Sequence, residues 1–365
     1  KPEVLSEIEG QYIGLISVRK NSVKVFENFY SHIENKKING RNRSNIFMTD
    51  FLQEIINSGI DIFAEKFYGG WVEIDSISDI SLYNENLHMV PDLKWSSFHD
   101  PVVQIAVDAG KAIMEYFGHI EVESVKVDDS PLTKADLKAN ELIIQGLRKL
   151  DYKYPVISEE NVKTTDWIQR TNWETYWIVD PLDGTKEFLK KSNDFTVNIA
   201  LIHKTHPVLG VVYAPAYNVL YLASKNWGSI KFNFSKKIKT ILQISGSSSP
   251  LNVIVSQSHK EPALEKYLTY LPEYRCVSMG SSLKICKIAD GTYDIYPRLG
   301  PLSEWDIAAS DVILSEAGGF LFDYMGNKIS YESFDGRIDS FIAAGIESNA
   351  LFPEVIKNII KNREK

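Results

Sequence analysis

The sequence is poor in the features that mark secreted, membrane-spanning and nucleic-acid-binding proteins. Its 365 residues include only 2 cysteines, Cys276 and Cys286, which excludes a disulfide framework and favours a reducing cytoplasmic setting. No apolar run approaches the roughly 18 residues of a membrane-spanning helix. The first residues do not resemble a signal peptide. The net charge of −8 argues against a general nucleic-acid binder.

The composition is otherwise that of an ordinary globular protein, with 44% hydrophobic and 24% charged residues. A chain of 365 residues predicts two or more domains, each large enough to bury a core. We predict an N-terminal segment at residues 1–90, a linker at 91–98 and a main domain at 99–365. The main domain is divided further into sub-domains at 99–230 and 231–365.

One short segment, residues 177–188, carries most of the functional information. It reads Trp-Ile-Val-Asp-Pro-Leu-Asp-Gly-Thr-Lys-Glu-Phe, an apolar strand-like run that ends in Asp180 and Asp183. The Pro and Gly turn the chain, so both carboxylates and the Leu182 carbonyl can face one point. Such oxygen ligands suit Mg²⁺. A helix starting near Thr185 would aim its N–H groups at the same point, where a phosphate can bind. Taken alone, the pattern more often marks an acidic helix cap.

Two further acids stand at the ends of predicted elements. Glu159 follows a short apolar run, and Asp306 lies at the start of a predicted helix. Each acid alone fits a cap or a solvated charge. Together with Asp180 and Asp183 they match a phosphatase site in which two ions, roughly 3.5–4 Å apart, hold the attacking and leaving oxygens.

A candidate base lies in a turn that leads into another predicted helix. Asp136 occupies the first turn of that helix and could hold the hydroxyl of Thr185 as it takes a proton from a water molecule. The same spacing fits a capping box in which Thr133 caps the helix. The spacing alone favours neither interpretation.

From residue 101 to residue 346, the chain resembles the CysQ-type 3′(2′),5′-bisphosphate nucleotidases of the inositol monophosphatase superfamily. The segments that carry the resemblance are residues 126–136, 156–160, 177–188, 194–202, 208–215, 280–284, 296–301 and 305–309. The resemblance implies an α/β fold, a layered αβαβα sandwich with the site between two sub-domains. It also implies a Mg²⁺-dependent, Li⁺-sensitive phosphatase with two or three ions per site.

The resemblance also implies roles for individual residues. The metal ligands of the family correspond to Glu159, Asp180, the Leu182 carbonyl, Asp183 and Asp306. The water-activating pair corresponds to Asp136 and Thr185. The substrate contacts correspond to Gly184, Thr185, His259, Ser281, Ser282, Lys284 and Arg298. Lys284 and Arg298 are suited to a phosphate that is not cleaved. The alternative for both is a solvated surface charge.

The function that we predict is removal of the 3′-phosphate from a nucleoside 3′,5′-bisphosphate, with adenosine 3′,5′-bisphosphate giving AMP and phosphate. The alternatives are cytidine 3′,5′-bisphosphate as substrate, an inositol or sugar monophosphatase, and a regulatory module that binds nucleotide without turnover. The expected partner is a small-molecule nucleotide rather than nucleic acid or membrane, and the resemblance allows a homodimer.

The N-terminal segment carries a second resemblance. Residues 47–56 and 69–79 are similar to the C-terminal third of sugar-nucleotidyltransferase-like enzymes, in which the acid at the position of Asp75 binds Mg²⁺. The nucleotide-binding half of that family is missing from this chain, which starts at Lys1 rather than Met. We therefore predict an inactive segment whose nucleotidyltransferase portion would lie upstream of Lys1. The segment looks most similar to cytidylyltransferase-like enzymes, and this likeness suggests cytidine 3′,5′-bisphosphate as the alternative substrate.

Overall fold

The computed structural model describes residues 23–33, 36–60, 93–119, 122–125, 131–164, 167–244, 246–257, 262–323 and 326–345. The chain divides into two compact units, residues 1–90 and 91–365. The described part of the first unit has helices α1 (Val23–His32) and α2 (Met48–Asn57) and a 3₁₀ helix (Arg43–Asn45). Its buried cluster consists of Ile33, Ile38, Phe51 and Ile55. Residues 69–79, which include Asp75, lie outside the described residues.

Seven further α-helices are described in the second unit. They are α3 (His99–Tyr116), α4 (Lys134–Lys149), α5 (Trp167–Arg170), α6 (Thr185–Leu189), α7 (Pro262–Leu268), α8 (Leu283–Ala289) and α9 (Glu304–Glu316). The 3₁₀ helices there are Leu93–Phe98, Glu159–Thr164 and Pro215–Tyr217. Among the described residues, no helix combines the length and the apolar character needed to cross a membrane.

The larger sheet has seven strands, in the same order in space as along the chain. They are β3 (Val156–Ser158), β4 (Thr175–Asp183), β5 (Thr196–His203), β6 (His206–Ala214), β7 (Val219–Ser224), β8 (Gly228–Asn233) and β9 (Ile238–Leu242). Strands β3 and β4 are parallel, and each later neighbour is antiparallel. The sheet therefore grows as an antiparallel meander from one parallel pair.

The smaller sheet has five strands in the order β11-β10-β12-β16-β14. They are β10 (Leu251–Ser256), β11 (Tyr274–Met279), β12 (Ile295–Arg298), β14 (Phe320–Phe322) and β16 (Phe341–Ala344). It is mixed, because β10 runs parallel to both β11 and β12 whereas β16 runs antiparallel to β12 and β14. Two short antiparallel pairs complete the strands: β1 (Val122–Val125) with β2 (Pro131–Thr133), and β13 (Leu302–Ser303) with β15 (Arg337–Ile338).

The layers follow from the alternation of side chains along the strands. In β4, Trp177 and Val179 join a core with α3 and α4, whereas Tyr176 and Ile178 join a core with α8, α9 and the smaller sheet. The far face of the smaller sheet packs on Tyr267 of α7. Five layers result, helices–sheet–helices–sheet–helix, which is the αβαβα sandwich predicted from the sequence.

Two predicted boundaries differ from the observed elements. The residues predicted as a linker, 91–98, include a 3₁₀ helix whose Trp95 and Phe98 are buried in the core with α3 and α4. The sub-domain boundary at 230/231 falls inside β8, and β9 extends the same sheet to Leu242. Hydrogen bonding to β7 and β8 keeps these later strands with the larger sheet.

A close contact sets the position of α9 against the larger sheet. Gly210 in β6 lies under this helix, and a Cβ there would come within 2.2 Å of the Ala309 carbonyl oxygen. Only glycine permits this approach. The N-terminal end of α9, which carries Asp306, is thereby held at a fixed height above the sheet.

A buried ion pair holds the same end of α9. The guanidinium of Arg170 bonds the Glu304 carboxylate and the carbonyl oxygens of Tyr331 and Ser333, at 3.0 and 2.7 Å for the carbonyls. The other Glu304 oxygen accepts from the Ser333 N–H and hydroxyl. Both side chains of the pair are almost completely buried. The pair thus fixes the start of α9 to residues 331–333.

Replacing Arg170 with Met is expected to destabilise the fold by about 3–5 kcal/mol, because it leaves the Glu304 carboxylate buried without its cation. Urea unfolding of the variant measures this loss. The same substitution at exposed Arg148 is the control and should change the free energy by no more than about 0.5 kcal/mol. A loss below about 1 kcal/mol for the Arg170 variant would contradict the assignment.

His99 at the start of α3 is buried and titrates far from its ordinary range. Its Nε2 lies 2.8 Å from Ser224 Oγ, and its ring makes an edge contact with Trp227. Burial, assisted by Lys239 and opposed by Asp100, lowers the pKa of His99 to about 4. Between pH 6.5 and 4 the unfolded chain therefore binds a proton that the folded chain does not.

Stability should fall as the pH drops through this window, with a His99 contribution on the order of 3 kcal/mol between pH 7 and 4. Replacing His99 with Gln removes this contribution. The measurement is urea unfolding of both proteins at pH 7, 5.5 and 4.5. Parallel pH profiles for the wild type and the variant would show that His99 does not titrate as described.

Candidate active site

A cavity of about 220 Å³ brings together residues from the predicted site that are far apart in the sequence. The four predicted acidic ligands, Glu159, Asp180, Asp183 and Asp306, all line it. The cavity is also lined by Gly184, Thr185, Ser281, Ser282, Lys284 and Arg298. His259 lies outside the described residues. The elements that meet here are the end of β4, the start of α6, the start of α9, the loop before α8, the start of the 3₁₀ helix Glu159–Thr164 and the end of β12.

A β-bulge at the end of β4 explains how Asp180 and Asp183 reach the same cavity. In a regular strand, residues three apart point to opposite faces. Here Asp180 pairs with Asn198 and Asp183 pairs with Thr196, so β4 contains one residue more than β5 over this stretch. The extra residue reverses the alternation and turns both carboxylates toward one side.

Three carboxylates lie close enough to share a cation. Asp180, Asp183 and Asp306 each offer a ligand atom, and these atoms all lie within 4.8 Å of one another. Asp306 is oriented by the start of α9, since its Oδ2 accepts the Ser303 N–H at 3.0 Å. Asp180 is oriented by the bulge, since its Oδ1 accepts the Leu182 N–H at 3.1 Å. The donor set consists of carboxylate oxygens, the ligands that Mg²⁺ prefers in proteins.

The electrostatics of these acids also fit a cation. Burial raises the pKa of Asp183, although Lys284 and the bonds from Ser282 and Asn198 oppose the shift. Burial, and next the negative charge of Asp183, raise the pKa of Asp306 well above its ordinary value, and Glu159 adds to this. A divalent cation among these carboxylates would offset both the burial and the mutual repulsion.

Asp136 and Thr185 form a hydrogen-bonded pair beside the acids. Thr185 Oγ1 lies 3.2 Å from Asp136 Oδ1 and 3.1 Å from the Leu182 carbonyl oxygen. The other Asp136 oxygen accepts from the Thr133 N–H at 2.8 Å and from its hydroxyl at 2.6 Å. The capping box and the contact to Thr185 therefore exist together, because each uses a different oxygen of Asp136.

The turn between β4 and α6 requires glycine. Gly184 has a φ of +91°, in the left-handed region that side chains rarely adopt, and it caps α6. A Cβ at this position would also come within 2.9 Å of the Asp194 carbonyl oxygen. The helix that follows is short, with only 5 residues.

Lys284 and Arg298 are buried in the cavity lining rather than exposed to solvent. Lys284 Nζ donates to the Ser281 carbonyl at 2.6 Å and lies 5.1 Å from the centre of the Tyr296 ring. Burial lowers the pKa of Lys284 to about 8, while the Asp183 carboxylate opposes the shift. Arg298 Nη2 donates to the Pro301 carbonyl at 3.1 Å. Two buried cations beside an acidic cluster are suited to a ligand with more than one anionic group.

Sequence reasoning missed two polar residues of the site, Thr196 and Asn198. Both lie on β5, are almost completely buried and come within hydrogen-bond distance of Asp183 Oδ2. The signal for them is their spacing. They are polar residues two apart in the otherwise apolar run 195–202, so they share one face of a buried strand. Polar groups in such positions require partners.

Comparison with known proteins adds independent information. Residues 94–360 match the model of the inositol monophosphatase family. The 3′(2′),5′-bisphosphate nucleotidase CysQ of Shigella flexneri is 43% identical over 242 residues, which cover 64% of this chain and 95% of the relative. The enzyme of the same name from Salmonella typhimurium is 45% identical over the same coverage.

Solved structures show the same likeness. The crystal structure of CysQ from Bacteroides thetaiotaomicron is similar with a TM-score of 0.61 and 34% identity, and it covers 70% of this chain and 100% of its own. An inositol monophosphatase of Thermotoga maritima, at 22% identity and a TM-score of 0.59, shares the fold. It covers 71% of this chain and 96% of its own. The chain therefore belongs to the inositol monophosphatase family, in which it is a CysQ-type member.

Proposed function

We propose that the chain is a Mg²⁺-dependent phosphatase that removes the 3′-phosphate from a nucleoside 3′,5′-bisphosphate. The observation that carries this proposal is the composition of one cavity, in which an acidic cluster and two buried cations lie together. The acids suit cations at the reacting phosphate, and Lys284 and Arg298 suit a second phosphate. CysQ relatives at 43–45% identity bear the name of this activity.

The cations of this proposal are two or three Mg²⁺ ions. Asp180, Asp183 and Asp306 would hold them, together with Glu159 and the Leu182 carbonyl. When bound, such ions lower the pKa of a water molecule and stabilise negative charge on the phosphate and leaving oxygens. The bulge in β4 prepares the ligands before binding, because it already turns Asp180 and Asp183 toward one side.

Thr185 and Asp136 would accept the proton of the attacking water. Thr185 Oγ1 donates to Asp136 Oδ1, so its oxygen can accept a proton from water while its own proton moves toward the carboxylate. The bonds from Thr133 hold the other Asp136 oxygen and keep the carboxylate in place. As the water oxygen bonds to phosphorus, the bond to the ribose 3′-oxygen breaks, and that oxygen takes up a proton from solvent water.

The 5′-phosphate would be recognised by the second part of the cavity. Lys284 and Arg298 provide charge-assisted hydrogen bonds, and an anion nearby favours the protonated form of Lys284. Ser281, in the loop before α8, supplies a further hydroxyl at the same wall, whereas the N–H and hydroxyl of Ser282 donate to Asp183 and Asn198. A substrate without the 5′-phosphate would not make these charge-assisted contacts with Lys284 and Arg298.

The experiment that tests the proposal is phosphate release by the purified chain with Mg²⁺. Adenosine 3′,5′-bisphosphate is compared with adenosine 3′-monophosphate, which lacks only the 5′-phosphate, and with inositol 1-phosphate. We expect kcat/KM to favour the bisphosphate by about 10²-fold or more, because each charge-assisted contact contributes about 1.5–3 kcal/mol. Chelation should abolish release, Mg²⁺ should restore it, and Li⁺ should inhibit it. Equal hydrolysis of inositol 1-phosphate would overturn the assignment.

The variant Lys284→Met is expected to lose most of the preference for the bisphosphate over the 3′-monophosphate, because it removes one of the two buried cations. Its effect should appear mainly on the bisphosphate, with the rate on the monophosphate changed much less. Kinetics on the two adenosine substrates measure the difference. An equal loss on both would place Lys284 at the reacting phosphate instead.

The base preference, the origin of residues 1–90 and a homodimer remain predictions. Cytidine 3′,5′-bisphosphate joins the substrate panel, and a strong preference for adenine would end the cytidine hypothesis. A nucleotidyltransferase-like origin of residues 1–90 depends on Asp75 and its neighbours, outside the described residues. A homodimer is tested by light scattering coupled to size-exclusion chromatography.

A further inference from the structure

Asn198 is bonded on both sides of its carboxamide and is only 1% exposed. Its Nδ2 donates to Asp183 Oδ2 at 3.3 Å, and its Oδ1 accepts from Ser282 Oγ at 2.8 Å. Reversing the carboxamide would place its oxygen against the carboxylate and its NH₂ against the hydroxyl. The partners therefore determine its orientation.

Thr196 and the backbone of Ser282 complete the same network. Thr196 Oγ1 lies 2.9 Å from Ser282 Oγ and 3.5 Å from Asp183 Oδ2. The Ser282 N–H also donates to Asp183 Oδ2. The three bonds to the Asp183 carboxylate, from Asn198, Thr196 and the Ser282 N–H, all fall on Oδ2. Ser282 belongs to the loop that precedes α8, and that loop also contains Ser281, with a φ of +52°.

We propose that Asn198 is a positioning residue: it fixes the Asp183 carboxylate with one end of its carboxamide and the loop 280–282 with the other. The inference rests on the proposed cation site. Hydrogen bonds that orient a ligating carboxylate typically change metal affinity by about 10- to 100-fold when they are removed. Asn198 thereby links the cation ligand on β4 to the loop that faces the substrate.

The test is calorimetric titration of Mg²⁺ alone into the full chain, without substrate. Asn198→Leu keeps a similar side-chain volume and removes both bonds. We expect its Kd for Mg²⁺ to rise about 10- to 100-fold. The control is Asn233→Leu on β8 of the same sheet, where the side chain accepts only the Lys236 N–H among the described hydrogen bonds. Its Kd should match that of the wild type.

A second pair of variants guards against misfolding of Asn198→Leu. Thr196→Val removes the hydroxyl while keeping the shape, and Thr196→Ser keeps the hydroxyl. The valine variant should bind Mg²⁺ more weakly than the wild type, because it lacks one of the bonds that orient Asp183. The serine variant should have a Kd for Mg²⁺ within about twofold of the wild-type value.

The outcomes separate this inference from the proposed function. Asn198→Leu and Thr196→Val could each unfold at a lower midpoint without Mg²⁺ and yet bind Mg²⁺ with an unchanged Kd. That result would show a purely structural role for this network and would overturn the inference. A wild-type chain that binds no Mg²⁺ would overturn the cation site itself, and this inference with it. Wild-type binding with no bisphosphate turnover would reject the proposed function alone.

Discussion

Replacing Asp183 with Asn is expected to reduce phosphate release from adenosine 3′,5′-bisphosphate by about 10³-fold or more. Cations at a reacting phosphate contribute several kcal/mol of charge stabilisation, and each 1.36 kcal/mol corresponds to about tenfold in rate. Asn can keep its carbonyl oxygen toward the Ser282 N–H, and its neutral NH₂ group then replaces the second carboxylate oxygen. The change therefore removes a ligand with little change in shape.

The control for Asp183→Asn is Asp311→Asn. Asp311 is a buried acid on α9, away from the cavity lining, and its Oδ2 accepts the Tyr331 hydroxyl at 2.8 Å. Burial raises the pKa of Asp311 to about 6, and Asn can keep an oxygen toward the Tyr331 hydroxyl. We expect this variant to keep its activity within about twofold, since it touches no group at the reacting phosphate. Retention of more than a tenth of the wild-type rate by a folded Asp183→Asn variant would exclude Asp183 as a ligand.

Replacing Thr185 with Val is expected to lower kcat by about 10²- to 10⁴-fold, the usual contribution of a positioned proton acceptor. Valine has nearly the shape of threonine, so the loss would come from the hydroxyl alone. Thr185→Ser should retain most of the activity. Steady-state kinetics at saturating Mg²⁺ measure the effect, and KM should change little because the hydroxyl acts on the water.

Asp136→Asn should give a loss similar to that of Thr185→Val, and the double variant should be little worse than either, because the two residues act as one unit. Asp136 also closes a capping box, so the cap needs its own control. Thr133→Ala removes the cap hydroxyl and should cost about 0.5–2 kcal/mol of stability with a much smaller loss of kcat. If Asp136→Asn lost stability as Thr133→Ala does but kept its kcat, the relay would be excluded and only the cap would remain.

Helices with end signals in the sequence are the elements predicted best. The predicted helix that carries Asp136 in its first turn is observed at Lys134–Lys149, with Thr133 as its cap. No such signal marks β9 and β11, which lie at the edges of the two sheets and are mostly exposed. An exposed edge strand needs no apolar alternation, so periodicity does not reveal it.

The local sequence by itself determined the acidic segment at residues 177–188 and the caps that orient Asp136 and Asp306, because these depend on neighbours within a few residues. Tertiary structure decided the remainder. It placed Asn198 and Ser282, 84 positions apart, in one network around Asp183 and paired Arg170 with Glu304 across 134 positions. Contacts between distant segments depend on how the sheets and helices pack, and no local pattern of residues specifies which buried polar groups will meet.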